Sequence, residues 1–228
     1  MRRKELKMNY NDVCILIPTL NEEGGIGGII NNFKKQGFKN ILVMNGHSTD
    51  KTHERVRKEG VRLVVQTGEG KGTAIRQAFE MINTKIVLMI DGDGTYNPGE
   101  AERLLQPIIA EKAEHVIGNR FACGGKFTLR HRFGNWLFNT IFKIIYAEDV
   151  PDILSGYRAI TKDAFSKLDL KKNGFEIETE MTIESTKKGV KMLVVQITYC
   201  GRKGVPKLSS FGDGFKIFCT LLEGRIKK

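Results

Sequence analysis

The sequence predicts an α/β fold with a mostly parallel central sheet flanked by helices. Three observations predict it. Short, almost unbroken apolar runs recur through the first half, each separated from the next by a helix-length stretch. Those runs do not alternate polar with apolar, which is the mark of strands covered on both faces. Apolar residues make up 40% of 228, enough to bury a core of that size.

The run DVCILIP at 12–18 reads as the first strand, stopped by Pro18. Helical character follows to about Gln36, and Gly37 ends it. NILVMN at 40–45 is the second strand; Asp50 is placed to cap a helix through about Lys58, with Gly60 beyond it. VRLVVQ at 61–66 is the third strand, and after the glycine-rich GEGKG at 68–72 a helix covers 73–82. KIVLMID, 85–91, is the fourth strand. Pro98 then suits the first turn of a helix to about Lys112. EHVIGN, 114–119, is the fifth strand.

The second half reads differently. The segment 131–150 is aromatic-rich and amphipathic, and a short segment, SGYRAITKDAF, follows it. An acidic helix is expected over 175–189, a long strand over 191–200, and a basic amphipathic helix at the end. No linker, repeat or low-complexity tract divides the chain. One domain over 1–228 is expected, with a first half at about 12–120 and a second at about 121–228.

The formal charge is +11, which suits an anionic partner: nucleic acid, a membrane surface or a phosphorylated substrate. The basic residues scatter instead of clustering with aromatics, which argues against nucleic acid. Four cysteines lie far apart with no C-x-x-C, as in a reduced, intracellular protein. The start MRRKELKMNY has charge but no apolar signal core, and no apolar run approaches the roughly 20 residues of a membrane span. A cytoplasmic protein, peripheral on the membrane at most, is expected.

In parallel sheets ligands bind beyond the carboxyl ends of the strands. That rule gathers four loops on one rim: 18–24, 45–50, 67–72 and 91–97. Asp91 and Asp93, either side of Gly92, follow directly on a buried strand. Two carboxylates one residue apart can converge on Mg²⁺ or Mn²⁺, hard cations that keep positions open for substrate phosphates. Asp and Gly also make ordinary turns; the placement after five apolar residues favours a metal. Asn21, Glu22 and Glu23 offer acceptors to a nucleoside, or merely favour a helix start. Asn45 stands at a strand end, while Ser48, Thr49 and Asp50 suit capping. His47 reads as a solvated turn residue. Lys71, among three glycines at a helix start, sits where backbone N–H groups attract phosphate, although the P-loop pattern is absent.

This ordered set resembles the family 2 glycosyltransferases of the GT-A (nucleotide-diphospho-sugar transferase) fold. VIGNRF at 116–121, PDILSGYRAI at 151–160, GFEIETEM at 174–181 and GRKGVPKLSSFGDGFKI at 201–217 are similar to the branch of dolichyl-phosphate mannose and glucose synthases. The resemblance spans roughly 12–222. It implies that Pro18, Thr19, Glu22, Asn45, Lys71, Asp91, Gly92 and Asp93 bind the nucleotide sugar. Asp91 and Asp93 would hold the metal, Mg²⁺ or Mn²⁺. Asn45 and Gly46 stand where the family usually has a carboxylate, which bears on the choice between uridine and guanosine. Arg120, Ser155, Arg158, Arg202 and Lys207 match positions facing phosphate or acceptor, and Asp93, Arg158 and Glu178 the catalytic positions. Glu176, Glu180 and Glu184, on one helical stripe, are equally what a solvated helix face carries. The implied reaction is an inverting transfer of a hexosyl or N-acetylhexosaminyl group, with a UDP-sugar favoured over GDP-mannose. The implied acceptor is dolichyl or polyprenyl phosphate. A phosphate monoester is already an anion, so no general base is required. The helices at 135–146 and 215–222 would lie in a membrane interface, or pack in the core. Two rival readings stand beside it: the same fold with a soluble sugar or phosphoglycerate acceptor, and a basic non-enzymatic module on nucleic acid or membrane. A sugar nucleotidyltransferase is disfavoured because its glycine- and arginine-rich signature is absent after the first strand.

Overall fold

A computed structural model describes residues 9–121, 127–200 and 212–226. Seven strands form one sheet in the order β3-β2-β1-β4-β6-β5-β7. They are β1 Val13–Thr19, β2 Asn40–Asn45, β3 Arg62–Val65, β4 Ile86–Met89, β5 His115–Asn119, β6 Arg158–Thr161 and β7 Met192–Gln196. The helices are α1 Ile26–Lys35, α2 Thr52–Lys58, α3 Lys71–Met81, α4 Ala101–Ile109, α5 Leu129–Tyr146, α6 Lys162–Ser166, α7 Ile177–Lys187 and α8 Gly212–Ile226.

Strand β1 shows why the sheet is covered on both sides. Val13, Ile15 and Ile17 point into one core with Ile26, Phe33 and Leu104. Cys14 and Leu16 point into the other with Ala74, Phe79, Ile177 and Met181. Successive side chains on a strand face opposite ways, so an unbroken apolar run fills two cores. Helices α1 and α4 cover one face; α3 and α7 cover the other. A third cluster, Ile117, Phe142, Ile153, Ile183, Ile217 and Leu221, lies under α5 and α8.

Three features correct the sequence reading or add to it. The segment 158–161 forms β6, which runs antiparallel between β4 and β5. Four residues are too few to show a period, and the other six strands are parallel where they pair with one another. Strands β6 and β7 bring the second half of the chain into the same sheet as the first. The long strand expected over 191–200 ends at Gln196, where its partner β5 ends at Asn119. Beyond that point the chain crosses to the loop after β4: Tyr199 bridges Tyr96, and Cys200 N donates to Thr95 O at 2.8 Å. The third correction concerns α7. Ile177 through Ser185 are all buried, including Glu178, Glu180 and Glu184, and Glu176 is buried just ahead of the helix. No solvated acidic stripe exists there, because α7 lies between the sheet and α8.

Candidate active site

The pairing of β1 and β4 sets the floor of the site. Ile90 N donates to Leu16 O (3.1 Å), carrying the pairing past the end of β4. Asp91, Gly92 and Asp93 therefore emerge beside Pro18 and Thr19. Asp93 is held by its own turn: its Oδ1 accepts from Thr95 N (3.0 Å) and Thr95 Oγ1 (2.6 Å). Asp91 lies against Gly156 in the loop before β6, where a Cβ would come within 2.5 Å of Asp91 Oδ2. Only glycine permits that approach.

Loops 18–24 and 45–52 are braced to each other. Gly46 N donates to Thr19 O (2.8 Å), Asn21 N to Ser48 Oγ (2.8 Å), Glu22 N to Thr52 Oγ1 (2.8 Å) and Glu23 N to Asp50 Oδ2 (3.1 Å). Asp50 also accepts from Thr52 N at the start of α2 (2.9 Å). His47 is exposed in the left-handed region (φ 64°), its ring nitrogen 3.2 Å from Gly68 O.

A cleft of about 160 Å³ opens where these loops meet. Its wall brings together Pro18, Thr19, Glu22, Lys71, Asp91, Gly92 and Asp93, seven of the eight residues expected at a nucleotide sugar. Asn45 is not among them. It is buried, and its Oδ1 accepts from Ser48 N (3.0 Å) and Ser48 Oγ (2.6 Å), so it shapes the loop. Thr19 Oγ1 is buried with no hydrogen-bond partner among the described residues. Gln66 and Phe175, which the sequence reading passed over, also line the cleft. Gln66 is the polar residue that ends an apolar run at the rim, a signal that was available. Phe175 lies on the distant loop before α7, and nothing local marks it.

Lys71 lines the cleft and is also paired within it. Its ammonium bridges Asp91 Oδ1 and Glu178 Oε1, with the Lys71 side chain 13% exposed and that of Glu178 6% exposed. Burial pulls the ammonium towards neutrality, but the two carboxylates outweigh it and hold the group charged well above the usual lysine range. Two amides at the start of α3 are already engaged: Gly72 N (2.7 Å) and Thr73 N (3.4 Å) both donate to Asn173 O.

The two described arginines expected at phosphates are held by the fold. Arg158 is wholly buried; Nε donates to Ser155 O (2.6 Å), Nη1 to Thr182 Oγ1 (2.8 Å) and Nη2 to Ile153 O (2.5 Å). Burial draws its guanidinium down to about 10, against the opposing charges of Glu178 and Asp152. Ser155 is buried too, serving Arg158 through its carbonyl. Arg120 forms a bidentate pair with Asp152 (2.8 and 2.7 Å) and lies over the rings of Phe121, Phe127 and Tyr199 at 5.4–5.8 Å. Arg202 and Lys207 lie outside the described residues.

In the cleft lining Glu22, Asp91 and Asp93 set three carboxylates against one ammonium, Lys71, a formal net of −2. The donors beside the cleft are oxygens only, as Mg²⁺ and Mn²⁺ require. Among the described residues no three His, Cys, Asp or Glu side chains gather into a metal cage. Two carboxylates on one turn fit a hard cation that takes its other ligands from substrate and water.

Comparison with known proteins points the same way. The model of glycosyl transferase family 2 matches residues 14–169. The chain is 45% identical over 214 residues to glycosyltransferase AglJ of Haloferax volcanii, covering 92% of this chain and 70% of that one. It is 25% identical over 238 residues to the UDP-N-acetylglucosamine–dolichyl-phosphate N-acetylglucosaminyltransferase of Methanococcus voltae, covering 92% and 94%. Among solved structures, glucosyl-3-phosphoglycerate synthase from Mycobacterium tuberculosis with phosphoglyceric acid superposes with a TM-score of 0.80 at 20% identity, over 93% of this chain and 79% of that one. The same enzyme with Mn²⁺, UDP-glucose and phosphoglyceric acid gives 0.78 at 19%, over 93% and 79%. The likeness to these structures is one of fold.

Proposed function

The chain belongs to glycosyl transferase family 2 and has its GT-A fold, and we propose that it transfers a hexosyl or N-acetylhexosaminyl group from a UDP-sugar to dolichyl or polyprenyl phosphate. The observation that carries this reading is the four-loop cleft, with its −2 floor at the carboxyl ends of β1 and β4. Relatives named for transfer to dolichyl phosphate support the acceptor. A relative named for a UDP-N-acetylglucosamine donor supports the uridine.

In this reading Thr19, Glu22 and Gln66 face the nucleoside, and Asp93, with Asp91, holds Mg²⁺ or Mn²⁺. When bound, the ion would neutralise charge on the departing diphosphate. Lys71 and Glu178 keep Asp91 in place and do not themselves meet the donor phosphates. The acceptor is already an anion, so the chain has only to align it with the face of the anomeric carbon opposite the nucleotide. Inversion follows from that alignment.

The acceptor's lipid needs an apolar surface. Helix α5 presents Leu129 (85% exposed), Phe133, Trp136, Leu137 and Ile144 (76% exposed) at helical spacing, and α8 beside it presents Phe215, Phe218 and Leu222. Large exposed apolar patches of this kind mark interaction surfaces. Among the described residues no helix is long and apolar enough to cross a membrane. The pair would lie in the interface on the cytoplasmic face, drawn to anionic lipid by the +11 charge.

The test is transfer from labelled UDP-sugars to polyprenyl phosphate with Mn²⁺. Label should enter the organic phase, stop in EDTA, and fall by about 10²–10³ in Asp93→Asn, the usual loss when one charge-stabilising group is removed. Label that moves to phosphoglycerate and stays aqueous overturns the lipid acceptor. Full activity of Asp93→Asn overturns the metal role.

A further inference from the structure

We infer that the segment 171–175 is a strap that builds the donor cleft, with Phe175 as a donor-contact residue and Asn173 and Arg76 as positioning residues. The inference rests on the reading of the cleft as a nucleotide-sugar site.

Four sets of contacts tie the strap to α3 and α7. The Glu180 carboxylate on α7 accepts from Lys171 N (3.0 and 3.1 Å) and Lys172 N (2.8 Å), fixing the start of the strap. Asn173 O receives Gly72 N and Thr73 N, two of the amides in the first turn of α3. Arg76, one turn further along α3, donates to Lys172 O and Asn173 Oδ1, and Thr73 Oγ1 reaches the same Oδ1 at 3.2 Å. The glycines complete the fit. A Cβ on Gly70 would overlap the Asn173 carbonyl, and one on Gly72 the Lys172 carbonyl. The GEGKG loop is therefore shaped to receive a backbone, and what it receives is protein.

The strap sets two things in the cleft. It holds the first turn of α3, where Lys71 stands against Asp91, and it brings Phe175 into the cleft lining with Thr19 and Gly46. An aromatic ring beside buried polar groups suits the flat face of a nucleobase or sugar. Phe175 lines the donor cleft itself, so the strap should govern how well the donor binds, not how the acceptor is met.

The experiment titrates UDP with Mn²⁺ into wild type, Arg76→Ala, Arg76→Lys, Asn173→Ala and Phe175→Ala by calorimetry, with melting temperature and donor and acceptor KM measured alongside. Arg76→Ala and Asn173→Ala should weaken UDP and raise donor KM by about tenfold, the worth of one charge-assisted hydrogen bond. Acceptor KM should stay unchanged, and Arg76→Lys should recover part of the loss. Phe175→Ala should weaken UDP with little change in melting temperature. If wild type binds UDP and the folded variants bind it equally well, the strap has no positioning role. If acceptor KM rises instead, its assignment to the donor is wrong. Wild type that binds neither UDP nor GDP removes the donor site itself, and the strap inference with it.

Discussion

Lys71→Met offers the sharpest test of the buried cluster. The substitution keeps most of the side-chain volume and removes the one cation that Asp91 and Glu178 share. Breaking a buried ion pair by deleting one partner costs about 3–5 kcal/mol, because the remaining charge stays desolvated. Here two carboxylates are left, yet Asp91 is 27% exposed and partly hydrated, so the lower end, about 3 kcal/mol, is expected. For a chain of this size that lowers Tm by about 6–12 °C, at 2–4 °C per kcal/mol. Thermal and urea melts at neutral pH read it directly. Lys71→Met/Glu178→Gln should melt above Lys71→Met, since one unpaired carboxylate is gone. As a control, Lys85→Met breaks an exposed pair with Asp12 (3.5 Å) and should melt with wild type. A Lys71→Met protein that melts within about 2 °C of wild type, or a double variant less stable than the single, refutes the cluster as described.

Two further outcomes are expected. His115 is fully buried on β5, with Nδ1 2.9 Å from Ser185 Oγ, Nε2 unpartnered and the Arg158 charge nearby; burial first and Arg158 second hold its pKa well below 6.5. Unfolded chains take up that proton near pH 6.5 while folded chains do not, so stability should fall by up to about 1.4 kcal/mol per pH unit below 6.5. His115→Gln should flatten the slope between pH 6.5 and 5 in urea titrations, and an unchanged slope rules His115 out as its source. Trp136 is the chain's single tryptophan and stands exposed on α5. Its emission should shift to the blue with anionic vesicles and less so in high salt; no shift removes α5 from the membrane surface.

The legible part of the structure was the part written in local pattern. Strands β1, β2 and β4 are apolar runs, and their shared rim follows from parallel pairing alone, although β1 runs one residue beyond the expected stop at Pro18. The cleft residues on that rim were legible for the same reason. Strand β6 was not, because RAIT is held in place by neighbours distant in sequence: Met89 and Ile117 flank Arg158. The acidic spacing of α7 looked like a solvated face because local pattern does not show what lies outside it. Glu178, Glu180 and Glu184 meet Lys71, the 171–172 amides, and Asp169 N with Lys187, partners supplied by chain return. Basic residues misled in the mirror sense. Arg120 and Arg158 sit in motifs that suggest phosphate, and tertiary structure gives them Asp152 and backbone carbonyls.

That last displacement shifts weight onto the aspartates. A nucleotide diphosphate and a lipid phosphate together bring several negative charges towards a floor that is already at −2. Lys71 is neutralised by two carboxylates, Arg120 by Asp152, and Arg158 is sealed from solvent. Three of the five expected cations are thus engaged in holding the protein. Repulsion between a diphosphate and the carboxylates of the cleft would exceed the worth of a single hydrogen bond where water is partly excluded. A divalent ion held by Asp93 and Asp91 would offset the charge of the floor, leaving the donor no net repulsion to overcome. Nucleotide affinity should therefore depend far more on the metal than on any one described arginine. UDP titrations of Arg158→Lys and Asp93→Asn, each with and without Mn²⁺, check this ordering. If Arg158→Lys loses more UDP affinity than metal removal does, charge at this cleft is supplied by the protein and the ordering is reversed.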